Sequence, residues 1–392
     1  MIYILLFALI MIMLKYLLVL RGDILSPSIA FILSFLISLC FLVVNANTWN
    51  IVIHSETFFV IISGIYALFC GEIITRSYYI SKYDKGVKNK SNSKIYYKVL
   101  EPKAKSTVII VLYMIIIVLW YFYHVYTTSI LLQDFMTLLG AYRSVDKVVN
   151  PVLKVGIVSS LPIAYFYIYA FLDNYVNKGI TRLAYLIPVL LFVTISVLSS
   201  GRIEILYLIV FSLTIGYMLL KRKNGWRTSF HIKTIRLGAL ILLLTFGIFY
   251  ALGFLTGKSN HNNFFDTISL YAGSSIAALD SFLNNFEYDI NRFGTETLHG
   301  LNNLLSILGI DTQITENRIL EFVHIGSMPF RTNIYTAYRR LLNDYGYIGM
   351  ILIQFLTGVI YTALYLKNRY GKYKEPIFGI LLYAFLFRYL VF

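Results

Sequence analysis

The chain contains very little charge. Asp, Glu, Lys and Arg make up 14% of its 392 residues, whereas 58% of the residues are hydrophobic. Soluble globular domains carry about 25% charged residues, so this composition excludes an ordinary soluble protein. Cysteine is scarce as well, with only Cys40 and Cys70. Both lie within apolar runs, which excludes a disulfide framework and predicts buried thiols.

Several sequence patterns that bind nucleotides or metals are absent. The chain has no GxxxxGK[ST] loop, no GxGxxG after a strand, no HExxH and no GxSxG. The usual motifs of ATP hydrolysis, dinucleotide binding, zinc proteolysis and serine hydrolysis are therefore missing. The nearest approach to a DxD pair in the long loop described below is Glu287-Tyr-Asp289. We accordingly expect neither a cofactor nor a bound metal.

What the chain has in abundance is apolar runs, most of them about 18 residues or longer and able to cross a hydrocarbon core of roughly 30 Å. We predict ten spans, at 1–20, 28–46, 57–75, 107–126, 153–172, 184–198, 203–220, 237–256, 347–366 and 377–392. The pattern predicts an all-α fold, a polytopic transmembrane helical bundle of about ten spans with a large extracytoplasmic helical loop.

The 34 Lys and Arg residues are divided unequally between alternate loops. One set contains 22 of them and comprises loops 21–27, 76–106, 173–183, 221–236 and 367–376. The other set contains nine and comprises loops 47–56, 127–152, 199–202 and 257–346. Positive residues favour the cytoplasmic side, so we expect the first set inside the cell and the second outside. The net charge of +15 is then a topology signal that also attracts membrane lipid, and nucleic-acid binding is not expected.

Three regions follow from this topology: a transmembrane bundle at 1–256, an extracytoplasmic loop at 257–346 and C-terminal spans at 347–392. The loop holds nine of the nineteen acids and three of the six histidines. Within it, segments 264–283 and 297–310 have apolar residues at helical spacing and are predicted helices. A long charged loop between membrane spans is where a membrane protein usually places its chemistry.

The end of this loop is rich in arginine. After Pro329 the pattern predicts a helix that begins near residues 332–333. On that helix Arg331, Tyr335 and Arg339 fall at i, i+4 and i+8 and form a polar stripe. Clustered guanidiniums favour phosphate, which arginine binds in bidentate fashion.

Three further arginines are candidates for the same substrate. Arg340 follows Arg339 directly, and because neighbours on a helix diverge by about 100°, one of the two is expected to point away from the site. Arg202 lies in the tight link between two predicted spans, where a guanidinium is costly unless it meets water, a carboxylate or a phosphate. Arg143 is a positive group in loop 127–152.

Candidate bases lie in the same loop. Histidine titrates near neutral pH, which suits proton abstraction from a sugar hydroxyl, and His324 precedes Arg331 by only seven residues. Glu296 and His299, at i and i+3, are the alternative pair. Arginines and a base beside a membrane fit a lipid diphosphate, whose tail lies in the bilayer while its phosphates contact the arginines. Transfer from such a donor needs no nucleotide, because the departing diphosphate supplies the driving force.

Taken together, the hydropathy plan and three local signatures resemble one family. The signatures are SSGRIEIL at 199–206, FGTETLHG at 293–300 and NIYTAYRRLLNDYGYIG at 333–349. The chain resembles the oligosaccharide repeat-unit polymerases, the Wzy-type polymerases of O-antigen and capsular polysaccharide. The resemblance extends over most of the chain and concerns the order of the membrane spans, with one large loop near the C-terminal end.

The resemblance implies a GT-C-like glycosyltransferase of the bacterial cytoplasmic membrane. Such an enzyme moves a glycan from polyprenyl diphosphate onto the next lipid-linked repeat unit at the outer face, and its partners would include a flippase and a chain-length regulator. The substrate-binding residues would be Arg202, Arg331, Arg339 and Arg340, with Arg143 and Tyr335 beside them. A lipid-linked glycan ligase and a polysaccharide flippase or transporter remain as alternatives. Few ionisable groups lie in the spans and no inverted repeat is visible, which weighs against transport.

Overall fold

The protein, described here from a computed structural model, is almost entirely α-helical. The structure describes residues 1–87 except 21 and 24, 99–129, 139, 142, 149–226, 243–251, 253, 263–310, 320–327, 331–370 and 377–391. Its α-helices are α1 (Ile2–Val19), α2 (Pro27–Asn45), α3 (Ser55–Val87), α4 (Ala104–Ser129), α5 (Pro151–Lys178), α6 (Leu186–Leu198), α7 (Arg202–Lys223), α8 (Phe264–Leu283), α9 (His299–Ile307), α10 (Tyr338–Tyr370) and α11 (Ile377–Val391). Short 3-10 turns lie at Leu183–Tyr185 and Ile290–Arg292. One antiparallel pair of strands, β1 (Val323–His324) and β2 (Arg331–Thr332), completes the described elements.

Seven of the helices in the described part of the chain are long and apolar enough to cross a membrane: α1, α2, α3, α4, α5, α7 and α10. Two shorter apolar helices lie at Leu183–Leu198 and Ile377–Val391. These nine helices coincide with nine of the ten predicted spans. Of the remaining one, 237–256, the structure describes only 243–251 and 253, with helical backbone. The prediction of an all-α, multi-pass membrane protein is confirmed at this level.

The residues group into two compact units. The first lies within 1–91, 265–366 and 389–392, and the second within 92–264 and 367–388. The first unit therefore joins the N-terminal helices to most of the predicted loop, and the second contains α4–α7 and most of α11.

Glycines allow two long helices of the first unit to pack closely. A Cβ atom on Gly71 of α3 would lie 2.2 Å from the carbonyl oxygen of Phe355, and one on Gly358 of α10 would lie 2.1 Å from that of Leu68. No side chain fits at either position without moving backbone. The helices thus approach through small residues, as membrane helices commonly do.

The buried Glu72 of α3 binds the start of α2. Its carboxylate accepts from the Ser26 hydroxyl at 2.5 Å, from the Ser28 backbone N–H at 2.9 Å and from Arg76 Nε at 2.7 Å. The first N–H groups of a helix have no partner within the helix. Glu72 therefore caps α2 from a neighbouring helix.

Arg76 extends this network to the loop between α1 and α2. Its Nη2 lies 3.3 Å from Asp23 Oδ2, and the Tyr365 hydroxyl donates to Asp23 Oδ1 at 2.7 Å. We call Asp23, Glu72 and Arg76 the Arg76 cluster. It joins loops 21–27 and 76–106, which the charge distribution assigned to the same side.

Contacts between other loops follow the same division. In the first unit, Ser327 N–H donates to Trp49 O at 2.9 Å and joins loop 47–56 to loop 257–346. In the second unit, Arg182 Nη2 donates to Glu101 at 3.2 Å and joins loop 173–183 to loop 76–106. Each contact pairs loops of one predicted set.

The end of the predicted loop differs from the expectation. The helix predicted to begin near residues 332–333 begins at Tyr338. Arg331 and Thr332 form β2 instead, opposite His324 and Val323. The physical reason is local competition, because the Thr332 hydroxyl accepts from Ile334 N–H at 3.2 Å and holds the backbone out of the helix. The stripe of Arg331, Tyr335 and Arg339 on one helix is therefore wrong, and only Arg339 of the three is helical.

The helix α10 is itself interrupted at Gly346, where φ is 64° and ψ is −171°. This region of φ and ψ is essentially restricted to glycine. The break separates an eight-residue segment, 338–345, from the long membrane-spanning part of the helix. Arg339, Arg340 and Asp344 all lie on the short segment.

Candidate functional site

The candidate site lies in the first unit around Arg339, whose residue surface is only 4% exposed. Its Nη1 donates to Glu296 Oε1, and its Nη2 donates to Glu321 Oε1 at 2.8 Å. Asn343 Nδ2 also donates to Glu296 Oε1, at 2.9 Å. We call Glu296, Glu321 and Arg339 the Arg339 cluster. Its formal charges sum to one negative charge when both carboxylates are ionised.

Two aromatic rings cover the guanidinium. The Cζ atom of Arg339 lies 4.9 Å from the ring centroid of Phe282 and 5.5 Å from that of Tyr335. The Tyr335 hydroxyl donates to the Glu321 carbonyl at 3.2 Å. Burial raises the pKa of Tyr335 to about 12, and the charge of Glu321 adds to this effect. The phenol therefore keeps its proton at neutral pH and serves as a donor.

Two polar atoms of the Arg339 cluster lack a hydrogen-bond partner among the described residues. Glu296 Oε2 and Arg339 Nε are buried and have no hydrogen-bond partner in the part of the chain that the structure describes. Buried polar groups are nearly always paired, so such an exception points to a role beyond packing. The carboxylate oxygen can accept a hydrogen bond or a proton, and the Nε–H group can donate a hydrogen bond.

Asp344 holds Glu296 in place. The carboxylate of this fully buried residue accepts from the backbone N–H of Glu296 at 3.1 Å and from that of Thr297 at 2.7 Å. The Thr297 hydroxyl donates to Asp344 Oδ2 at 2.7 Å and lies 2.6 Å from the Tyr345 hydroxyl. Glu296 is thus positioned by α10, although it lies more than forty residues earlier in the chain.

His324 and Arg331 face each other across the two strands. Arg331 Nε donates to His324 Nε2 at 2.7 Å. An arginine nitrogen can only donate, so His324 accepts at Nε2 and carries its proton on Nδ1. Both side chains are exposed. The seven-residue separation of His324 and Arg331 therefore corresponds to direct contact across the strands.

The other predicted residues of this unit have separate surroundings. His299 begins α9, its Nε2 lies 3.0 Å from Asn303 Nδ2, and its Nδ1 is buried with no partner among the described residues. Arg340 is exposed while Arg339 is buried. The expectation that these neighbouring arginines point in different directions is therefore confirmed.

Two further arginines were predicted to bind the substrate. Arg202 belongs to the second unit, where it begins α7, is buried, and lies 5.3 Å from the ring centroid of Phe249. Arg143 lies outside the described residues. Their part in the site stays a prediction.

Sequence reasoning missed one arrangement. His54, just before α3, donates its backbone N–H to Asp280 Oδ1 at 2.8 Å, and its Nδ1 lies 2.8 Å from Asp280 Oδ2. The available signal was Asp280 itself, an acid among the apolar residues on one face of α8. An acid on a buried face needs a partner, but the sequence does not show that the partner is 226 residues away.

Among the described residues no group of three or more His, Cys, Asp or Glu side chains is arranged to hold a metal ion. No protein-family model matches the chain, and comparisons with curated proteins and with solved structures find no match either.

Proposed function

We propose that the chain is a membrane glycosyltransferase that polymerises polyprenyl-diphosphate-linked oligosaccharide repeat units at the outer face of the bacterial cytoplasmic membrane. The observation that carries the proposal is the polar site formed by Glu296, Glu321 and Arg339, which directly adjoins the long apolar part of α10. A substrate with a lipid tail and a charged sugar head matches this combination. A GT-C-like fold and membership of the repeat-unit polymerases are parts of the proposal.

The arginines have different roles in this proposal. Arg339 is already neutralised by two carboxylates, so it holds Glu296 and Glu321 in place and presents Nε–H to the substrate. Arg331 and Arg340 are exposed and supply positive charge for the diphosphate. Positive charge beside the diphosphate stabilises the negative charge that develops on it as it leaves, which is the main electrostatic requirement of the reaction. His324 orients the guanidinium of Arg331 through their hydrogen bond.

The activity test uses the purified full chain in lipid nanodiscs with a defined lipid-linked repeat unit, and follows products by gel electrophoresis and mass spectrometry. A ladder of lengthened lipid-linked glycans is expected. Transfer only to a different acceptor would favour a ligase, and movement across the bilayer without bond formation would favour a flippase. Either result would overturn the polymerase proposal.

Substitutions test the diphosphate role. Arg331→Ala is expected to abolish or shorten the polymer, and Arg331→Lys to restore it only partly, because an ammonium cannot reproduce the planar fork of a guanidinium. Arg182→Ala is the matched control, since Arg182 pairs with Glu101 in a loop of the opposite set. Polymer of normal length from Arg331→Ala would exclude this residue as a diphosphate ligand.

Sidedness is tested with single cysteines in a Cys40→Ala, Cys70→Ala background. Asn285 and Asn224 are exposed asparagines in loops of opposite sets. Asn285→Cys is expected to react with a membrane-impermeant thiol reagent in intact cells, whereas Asn224→Cys is expected to react only after lysis. The reverse pattern would place the site in the cytoplasm and contradict an outer-face reaction.

A further inference from the structure

The buried Asp280 holds the imidazole of His54 in a single orientation. Asp280 Oδ1 accepts from the His54 backbone N–H at 2.8 Å and from the Thr57 hydroxyl at 2.6 Å. Asp280 Oδ2 is bound to His54 Nδ1 at 2.8 Å. The Asp280 side chain is 6% exposed and the His54 side chain is 52% exposed. A carboxylate with three donors cannot rotate freely, so the ring that it binds is fixed as well.

This pairing also sets the tautomer of His54. An ionised carboxylate only accepts hydrogen bonds, so Nδ1 carries a proton and donates it to Asp280. In the neutral ring the lone pair then lies on Nε2, on the side away from Asp280. No hydrogen bond involves His54 Nε2 within the described ranges. The same orientation of imidazole by a buried aspartate prepares histidine as a base in hydrolases.

The other histidines of this unit in the described part of the chain are arranged differently. His324 Nε2 already accepts from Arg331, and His299 Nε2 lies 3.0 Å from the amide nitrogen of Asn303. Either ring must lose a hydrogen bond before it can take a proton at Nε2. His54 can take a proton at Nε2 without losing a hydrogen bond.

Capping alone does not account for a histidine at this position. The His54 carbonyl accepts from Phe58 N–H at 3.4 Å, so His54 stands at the N-cap of α3. Ser, Thr, Asp and Asn are the favoured residues there. Asp280 would hold the start of α3 through the backbone N–H and Thr57 alone. The imidazole adds a second ring nitrogen, on a side chain that is 52% exposed, which the capping interaction does not need.

The segment before His54 contacts the hairpin that carries Arg331. Ser327 N–H donates to the Trp49 carbonyl at 2.9 Å, and a Cβ atom on Gly326 would lie only 1.9 Å from that oxygen. The backbone of the hairpin therefore packs directly on the loop that leads into α3. The oriented histidine and the exposed arginine lie on segments that are joined to each other.

We propose that His54, positioned by Asp280, is the base that accepts the proton of the acceptor sugar hydroxyl; this rests on the proposed function. In the step, the acceptor oxygen forms a bond to the anomeric carbon of the donor as its proton moves to His54 Nε2. The bond from the anomeric carbon to the diphosphate oxygen breaks, and the polyprenyl diphosphate leaves with the electron pair. The imidazolium then returns its proton to water. Asp280 stabilises the positive ring and acts as a positioning residue.

The test compares His54→Gln with wild type in the nanodisc assay. The substitution keeps the backbone N–H that binds Asp280, so the fold is expected to survive, as checked by the thermal unfolding midpoint. The single-turnover rate is expected to fall about 10²–10⁴-fold, the usual contribution of a general base. The wild-type rate is expected to fall at acidic pH, and the residual rate of His54→Gln is expected not to show this fall. A purely structural role for His54 would not change the pH profile in this way. Glu56→Gln, an exposed residue of the same helical turn, is the control with normal rate.

A second measurement does not depend on turnover. Diethyl pyrocarbonate is expected to modify His54 faster than His324, since Nε2 of His54 has no hydrogen bond, and the lipid-linked repeat unit is expected to protect it. Peptide mass spectrometry reads both sites.

The outcomes separate the two proposals. Wild type that forms no glycosidic bond would overturn the proposed function, and the role of His54 with it. Active wild type with an equally active His54→Gln variant would overturn only the assignment of the base. Loss of activity confined to His324→Ala or Glu296→Gln would assign the base to those residues and likewise refute His54.

Discussion

The Arg76 cluster and the Arg339 cluster contain the same charged groups, one guanidinium and two carboxylates, but differ in how many of their polar atoms have hydrogen-bond partners. Each places one arginine, whose side chain is at most 12% exposed, between two carboxylates, in the first unit. Around Arg76, the carboxylate of Glu72 has three donors. Around Arg339, Glu296 Oε2 and Arg339 Nε have no partner in the described part of the chain, and the Glu321 side chain is 64% exposed.

The difference separates a structural network from a candidate site. A polar network in which every group is hydrogen-bonded makes a packed region rigid. A network with unpaired polar atoms can still form hydrogen bonds to a ligand. Glu72 and Arg76 fix α2 against α3, and no buried polar atom of either side chain lacks a partner in the described part of the chain. Glu296 and Arg339 keep one acceptor and one donor that a substrate hydroxyl or phosphate could satisfy. Substitutions in the two clusters are therefore expected to affect different properties.

The largest effect on stability is expected from Glu72→Ala. The change leaves Arg76 without its closest partner and removes the cap from α2, and breaking a buried ion pair typically costs about 3–5 kcal/mol. The free energy of unfolding in detergent micelles measures the loss. Glu56→Ala, an exposed site on the same helix, is expected to stay within about 0.5 kcal/mol of wild type. A Glu72→Ala variant as stable as that control would show that the Arg76 cluster does not hold the fold together.

An intermediate effect is expected from Asp344→Asn. The amide loses the charge that binds the backbone of Glu296 and Thr297, and hydrogen bonds to a charged group contribute about 1.5–3 kcal/mol. Displacement of Glu296 should also slow glycan transfer. The paired measurements are the unfolding free energy and the single-turnover rate.

The control for this variant is Asp289→Asn. Asp289 is partly exposed and accepts from Asn291 N–H at 2.9 Å in an exposed turn. It is expected to change neither quantity appreciably. If Asp344→Asn loses stability but keeps the wild-type rate, the position of Glu296 does not matter to the reaction.

The smallest effect is expected from Glu321→Gln. Ion pairs with an exposed partner contribute about 0.2–1 kcal/mol, and Arg339 keeps its bond to Glu296, whose side chain is 15% exposed. The remaining difference from wild type should shrink in 1 M salt, because salt screens exposed charges. Unfolding measured at low and high salt tests this. A loss as large as that of Glu72→Ala would mean that the two clusters are energetically alike, against the comparison drawn above.

The success of sequence reasoning depended on the range of the interactions involved. Helix α8 was predicted at 264–283 and is found at Phe264–Leu283, because its apolar face recurs within a few residues. The divergence of Arg339 and Arg340 also follows from local helical geometry. The helix start near 332–333 was wrong for two reasons. The Thr332 hydroxyl competes locally by binding Ile334 N–H, and Arg331 pairs with β1, which no local pattern reveals. The partners of Glu296 and His54 were likewise invisible, since they lie 43 and 226 residues away.

Hydrophobicity and length alone account for the helices that are long and apolar enough to cross a membrane. In a bilayer every backbone polar group must be satisfied within the segment, so a long apolar run has no alternative to a helix. Packing alone accounts for which charges meet. Glu72 and Glu296 are the same residue type, yet both oxygens of Glu72 accept hydrogen bonds, whereas Glu296 Oε2 is buried with no partner among the described residues. That distinction arises because the donors around each carboxylate come from helices and turns distant in the chain, and their approach depends on tertiary packing rather than on local pattern.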